Sequence, residues 1–167
     1  ETDLDTVLQY GSSGPVRPPF ASDVKRKKDF AYGKSEMQLR MTNIHWLHRM
    51  GYRGENVRLI VLDGGFSRAD KLSFFQTLRD DNRLLGAYNL VQCGKSPFQT
   101  GTHGTTVLSC IAAYTPNEVV GSAPMVQVFL CQTEDGRTEH KIEEDNWVAG
   151  LELADSLGCQ VLNSSLG

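Results

Sequence analysis

The sequence predicts an α/β fold, a parallel β-sheet with helices on both faces. Three observations point there. Short apolar, β-branched runs have strand length, the segments between them repeat apolar residues every three or four positions, and Asp or Gly punctuates the run ends. Strand, helix, strand, helix, strand is the order of crossovers that lay helices on the faces of a parallel sheet.

Residues 1–34 stand apart from this pattern. They hold Pro15, Pro18 and Pro19, the stretch Gly11-Ser12-Ser13-Gly14 and the basic run Lys25-Arg26-Lys27-Lys28, with no helical or strand period. The segment reads as an extended arm over the domain or as a leader. The basic run reads as a solvated stretch, with a processing site as the alternative.

From Ser35 the elements follow in order. Met37, Met41, Ile44, Leu47 and Met50 predict one amphipathic helix, stopped by Gly51 and Gly54. Val57–Leu62 predicts a buried parallel strand that Asp63-Gly64-Gly65 breaks. A helix is expected over Ala69–Arg79 and a second strand over Leu85–Val91. Gly101-Thr102-His103-Gly104 then opens a helix with Val107, Leu108, Ile111 and Ala112 along one face, ending before Pro116. Val126–Cys131 is another buried strand. Glu143–Leu157 is a helix with Trp147, Leu151 and Ala154 in one stripe and Gly158 closing it, and Cys159–Leu166 is the last strand. Catalytic and ligand groups in such sheets gather beyond the carboxyl ends of the strands, where Asp63 and the Ser-Leu-Gly tail stand.

Composition narrows the function classes. With 17 Lys+Arg against 20 Asp+Glu, a net charge of −3, no broad basic face is available for nucleic acid or an anionic membrane. No apolar run of about 18 residues exists to span a bilayer. The chain starts without Met or a charged-then-apolar leader, and so reads as processed or trimmed. Cys93, Cys110, Cys131 and Cys159 form no Cys-x-x-Cys, which removes a zinc ribbon or a thioredoxin-like site. Three of them adjoin apolar stretches, where they act as small buried hydrophobes or pair as disulfides, so the compartment stays open. His45 and His48 sit three apart with no third ligand in sequence, and read as exposed helix histidines rather than a metal pair. No Gly-x-Gly-x-x-Gly or phosphate-loop motif accompanies Val61-Leu62-Asp63-Gly64-Gly65, which argues against a nucleotide-binding domain.

Three features carry chemistry: Asp63 after a strand (LIVLDGG), His103 opening a helix (GTHGTTVLSCIAA), and Asn163-Ser164-Ser165-Leu166-Gly167 ending the last strand. In this order and spacing they resemble the subtilisin-like serine proteases, the subtilase family. The likeness runs from about Tyr32 to Gly167, through IVLDGGF at 60–66, HGTTVLS at 103–109, VGSAP at 120–124 and ADSLGCQVLNSSLG at 154–167. The stretch EEDNWVAGLELADSLG is similar to secreted subtilases of the Bacteroidetes type.

The resemblance implies that Asp63 is the triad carboxylate and His103 the general base. A serine hydroxyl is a weak nucleophile at neutral pH and needs a neighbouring base. Imidazole suits that task, with an unperturbed pKa near 6.5. A buried carboxylate fixes its tautomer and stabilises the imidazolium that forms. Ser165, Leu166 and Gly167 would border the substrate groove, an extended peptide pairing with the strand edge. Asn163-Ser164-Ser165 also spells a glycosylation sequon, of little weight on a buried strand.

The sequence departs from the family pattern in three ways. Gly64 stands where Thr or Ser is common, and Thr106 where a second histidine is usual. No Gly-Thr-Ser-Met-Ala-like motif follows, and the oxyanion-hole asparagine is absent. The expectation is therefore the N-terminal part of a subtilisin-like endopeptidase over residues 35–167, with the serine on a separate carboxyl-terminal chain. The alternative is an inactive subtilase-fold fragment acting as a binding or inhibitory module. Subtilases often bind calcium, but Thr115-Pro116-Asn117-Glu118 offers few oxygen ligands, and no site is expected there. No cofactor is required for such catalysis. The resemblance further implies a secreted or cell-surface protease acting on protein or peptide substrates.

Overall fold

The computed structural model describes residues 30–136 and 140–165. In chain order its regular elements begin with helices α1 (Glu36–Met41) and α2 (Ile44–Met50), strand β1 (Arg58–Asp63), helix α3 (Gln76–Asp80) and strand β2 (Leu84–Asn89). There follow helix α4 (His103–Ala112), short strands β3 (Tyr114–Thr115) and β4 (Val119–Val120), strand β5 (Gln127–Gln132), helix α5 (Ile142–Ser156) and strand β6 (Val161–Ser164). The main sheet has the order β2–β5–β1–β6, and every pairing in it is parallel. The strands β3 and β4 make a small antiparallel ribbon that the sequence did not announce.

Alternation along β1 divides the core. Leu59 and Val61 face one side with Val128, Leu130, Phe66, Phe75, Leu78, Leu108 and Ala112, which brings in α3 and α4. Ile60 and Leu62 face the other with Phe129, Cys131 and Ala154 of α5. Both faces of the sheet are thus covered by helices, the α/β arrangement that the apolar strand runs predict. Gly150 lets α5 sit against the sheet, since a Cβ there would meet the Leu62 methyls at 3.1 Å.

The amino-terminal helices differ from expectation. One helix through Met50 was predicted; two form, with Asn43 in the left-handed region (φ 60°) between them. Thr42 Oγ1 donates back to the Gln38 carbonyl at 3.0 Å, a bond that competes with helix continuation. The break rotates the second helix, so the buried set becomes Leu39, His45 and His48, while Met37 (72% exposed), Met41 (76%) and Leu47 (46%) lie outside. The two histidines are therefore buried, contrary to the exposed placement expected from sequence. His48 explains itself: Tyr32 Oη and His48 Nδ1 are hydrogen-bonded at 3.0 Å, and His48 Nε2 and the Ser122 carbonyl at 2.9 Å. Of the predicted arm, Tyr32 is buried, Gly33 bridges to Val119, and Lys34 N–H donates to the Glu118 carbonyl. Residues 1–29, with the Lys25–Lys28 run, lie outside the described residues.

Two further differences have local causes. The helix expected over Ala69–Arg79 is confined to α3 and a preceding 3-10 turn at Ser73–Phe75, because Leu72 is extended (ψ 137°). The Arg79 guanidinium instead donates to the Ala69 and Leu72 carbonyls at 3.2 and 3.0 Å. Cys110 is exposed, since it lies two residues from buried Leu108 on the opposite side of α4; Cys131 is buried and Cys159 half-buried, and all four cysteines are free.

Candidate active site

Asp63 ends β1 and is fully buried, drawn in by the four apolar residues before it. His103 is the first residue of α4. The two meet with His103 Nδ1 at 2.9 Å from Asp63 Oδ2 and 3.1 Å from Oδ1. Gly64 N–H donates to Oδ1 at 2.8 Å. The pair is asymmetric: the Asp63 side chain is 1% exposed and the His103 side chain 64%. A carboxylate only accepts hydrogen bonds, so Nδ1 is the donor in this contact and Nε2 is the ring nitrogen left over.

Two loops bring these residues together by backbone contact. Phe66 N–H donates to the Pro97 carbonyl, Ser67 N–H to Gly101, and Arg68 N–H to Phe98, at 2.8, 2.7 and 3.1 Å. Thr105 Oγ1 adds a bond to the Ser67 carbonyl at 2.9 Å. Glycine is required where the loops touch. Gly65 (φ 137°) lies against the Thr100 carbonyl, and a Cβ on Gly101 (φ 65°) would stand 2.5 Å from the Gly64 carbonyl oxygen. A Cβ on Gly104 would stand 2.5 Å from the Gly65 carbonyl oxygen and 2.9 Å from the Asp63 Cβ. No L-residue with a side chain fits there without moving α4 off the sheet.

Electrostatics at Asp63 are a contest. Burial is the largest influence and raises the carboxyl above its ordinary range, opposed by the His103 hydrogen bond, the Gly64 N–H, the positive charge of protonated His103 and the Gly104 N–H. Of the departures from the family pattern, Gly64 has nothing nearer than 3.9 Å to a would-be Cβ, so its lack of a side chain does not shape the pair. Thr106 is exposed and its hydroxyl donates to the Thr102 carbonyl, away from the pair.

The remaining sequence-predicted residues fall as follows. Ser165 lies one residue beyond β6, its hydroxyl donating to Asn163 Oδ1 at 3.0 Å. Leu166 and Gly167 lie outside the described residues. Ser164 accepts from Trp147 Nε1 at 2.9 Å. Sequence reading passed over Gln132 and Thr100, which join Asn89 in a hydrogen-bonded group beside Asp63. The signal was there: Gln132 is a polar residue that follows the apolar run Val128–Cys131 at the carboxyl end of β5. A cleft of about 370 Å³ opens beside them, bordered by Gly64, Asn89, Thr100 and Gln132. Among the described residues no three His, Cys, Asp or Glu side chains gather to hold a metal ion. Thr115–Glu118 forms the turn of the β3–β4 ribbon, its Asn117 and Glu118 backbones engaged with Ala31 and Lys34.

No family model matches the chain. It is 31% identical over 124 residues to Subtilisin E of Bacillus subtilis (strain 168), covering 72% of this chain and 29% of that protein. Subtilisin of Bacillus pumilus is also 31% identical, with 41% of its length covered. The chain thus spans well under half the length of these curated relatives. Among solved structures, the serine protease of Aeromonas sobria superposes with a TM-score of 0.56 at 27% identity, over 75% of this chain and 21% of that one. MycP3 protease from the type VII (ESX-3) secretion system gives 0.58 over 84% of this chain and 38% of that one, a likeness of fold at 16% identity.

Proposed function

The chain is subtilisin-like, of the S8 serine-protease type, and from that premise we propose that it supplies the aspartate and histidine of a serine endopeptidase. Asp63 is the triad carboxylate and His103 the general base. The observation that carries this reading is the 2.9 Å contact between a fully buried carboxylate and a largely exposed imidazole. In the reaction, His103 Nε2 takes the proton of a serine hydroxyl as it attacks the scissile carbonyl, then returns a proton to the leaving amine. Asp63 holds the tautomer and offsets the imidazolium charge.

The nucleophile comes from a carboxyl-terminal chain of the same protease, produced by proteolytic processing and docked against residues 35–167, the amino-terminal part of the catalytic domain. A His103 side chain that engages Asp63 through Nδ1 leaves Nε2 for such a serine, which supports this reading. The substrate is a protein or peptide lying extended along β6, with Ser165, Leu166 and Gly167 bordering the groove. The parallel register that pairs Leu62 with Ser164 brings the carboxyl end of β6 to the same end of the sheet as Asp63, which supports that placement. The chemistry belongs to side chains and requires no cofactor. No described helix is long and apolar enough to cross a membrane, and the setting proposed is secreted or cell-surface.

Purified residues 1–167 should hydrolyse no peptide substrate, and native mass analysis of the protease should show a second polypeptide carrying the serine. Hydrolysis by the chain alone, blocked by a serine-directed inhibitor, would overturn the division of the triad between two chains.

A further inference from the structure

We propose that Gln132 is a positioning residue for His103, acting through Thr100; the assignment rests on the proteolytic reading above. Gln132 closes β5 directly beside Asp63, its register partner on β1, and is 5% exposed. Its Oε1 accepts from Asn89 Nδ2 at 3.0 Å and from Thr100 Oγ1 at 3.2 Å, and its Nε2 donates to the Glu134 carbonyl at 3.2 Å. One carboxamide therefore joins the end of β2, the end of β5, the loop after β5 and the loop that delivers His103.

His103 needs such support because it has little of its own. Its side chain is largely exposed and α4 starts without a side-chain cap at Thr102. The imidazole is placed by the backbone of residues 97–102, held on one side by the bonds from Phe66, Ser67 and Arg68. Thr100 is pinned twice, its carbonyl against Gly65 and its hydroxyl by Gln132. If Thr100 slides, Gly101, Thr102 and His103 move with it. A general base has to stay within about 2.6–3.2 Å of the proton it removes, and a displacement of about 1 Å costs on the order of 100-fold in rate.

The residue type also fits. A leucine would fill the strand end but leave Thr100 and Asn89 without an acceptor there. A glutamate would keep both acceptances but set a second negative charge beside the buried Asp63. A neutral carboxamide supplies the acceptor without the charge.

The test uses the complete protease, this chain together with its serine-bearing part. Gln132→Leu and Thr100→Val should each lower kcat by about 10-fold or more with KM within about two-fold. The double variant should be no worse than the poorer single, because the two share one hydrogen bond. The acid limb of the kcat/KM profile should shift in both, since it reports the His103–Asp63 pair. Unfolding followed in parallel separates lost rate from lost protein, and Thr100→Val decides the matter if Gln132→Leu does not fold. Asp63→Asn is run alongside. If it abolishes activity while both other variants keep kcat within two-fold, Gln132 has no positioning role and the triad reading stands. If Asp63→Asn keeps full activity, the triad reading itself falls.

Discussion

The two ends of β1 are built by different rules. At its carboxyl end, Asp63 and His103 are brought together by backbone against backbone, through Gly65, Gly101 and Gly104, where no side chain fits. At its amino end, α1 and α2 are held by side chains, chiefly Leu39 and the Tyr32–His48–Ser122 hydrogen bonds, and Met37 and Met41 of the apolar pattern stay in water. The first region tolerates almost no change in shape; in the second the exposed faces of α1 and α2 tolerate change, while Leu39, His48 and the close contact at Gly33 do not. Backbone contacts fix the place where two loops carry Asp63 and His103.

The largest effect expected is on rate. Asp63→Asn in the complete protease should lower kcat by on the order of 10⁴-fold, because an amide donates to Nδ1 and stabilises the wrong tautomer. A loss below about 10-fold would mean that the buried carboxylate is structural, and the contrast between the two ends would lose its functional content. Next comes Gly104→Val, expected to cost about 3 kcal/mol or more in urea unfolding, beyond the usual price of overpacking because the obstacle is backbone. Gly64→Ser, one residue from Asp63, should stay within about 0.5 kcal/mol, having 3.9 Å of clearance. Equal costs at the two glycines would refute the interlock.

At the other end, His48→Leu removes the hydrogen bonds to Tyr32 Oη and the Ser122 carbonyl and should cost about 1–3 kcal/mol in urea unfolding. A smaller, pH-dependent effect sharpens the comparison. Burial raises the Asp63 carboxyl, so the folded chain holds that proton more tightly than the unfolded one. Stability from this group is full below the unfolded value, near 4, and is lost as pH rises through the higher folded value. Asp63→Asn should therefore raise the urea midpoint at pH 7, an advantage that fades as pH falls below 4. A less stable variant at pH 7 would show that the hydrogen bonds outweigh burial. Smallest of all, Met37→Gln and Met41→Gln should each change stability by less than about 0.5 kcal/mol.

The same contrast governs what could be read from sequence. Runs such as Leu59–Leu62 and Val128–Cys131 are buried on both faces of the sheet, so their apolar composition needs no knowledge of neighbours. Asp63 and His103 were legible through the resemblance alone, since an Asp after a strand or a His beside glycine reads singly as a turn or loop residue. The glycines beside them show their role in close approach only in the structure. The side of α2 that is buried was not legible, because Asn43 turns the helix by a backbone choice that apolar spacing does not encode. Cys110 misled for the opposite reason: it borders apolar residues in sequence but points away from them on α4. Gln132 escaped notice because its partners, Asn89 and Thr100, are remote in the chain and meet it only through strand register.

The strand order β2–β5–β1–β6 also has a consequence in time. β1 is buried from Leu59 to Asp63, yet both its neighbours come late: Gln127–Gln132 on one side and Val161–Ser164 on the other. As the chain leaves the ribosome at ~5–20 residues per second, Leu59–Leu62 waits several seconds before either edge is satisfied. During that interval an apolar, uncharged segment of high β-propensity is open to other chains. Slow, long-range pairing leaves both edges of β1 open until β5 and β6 have been made.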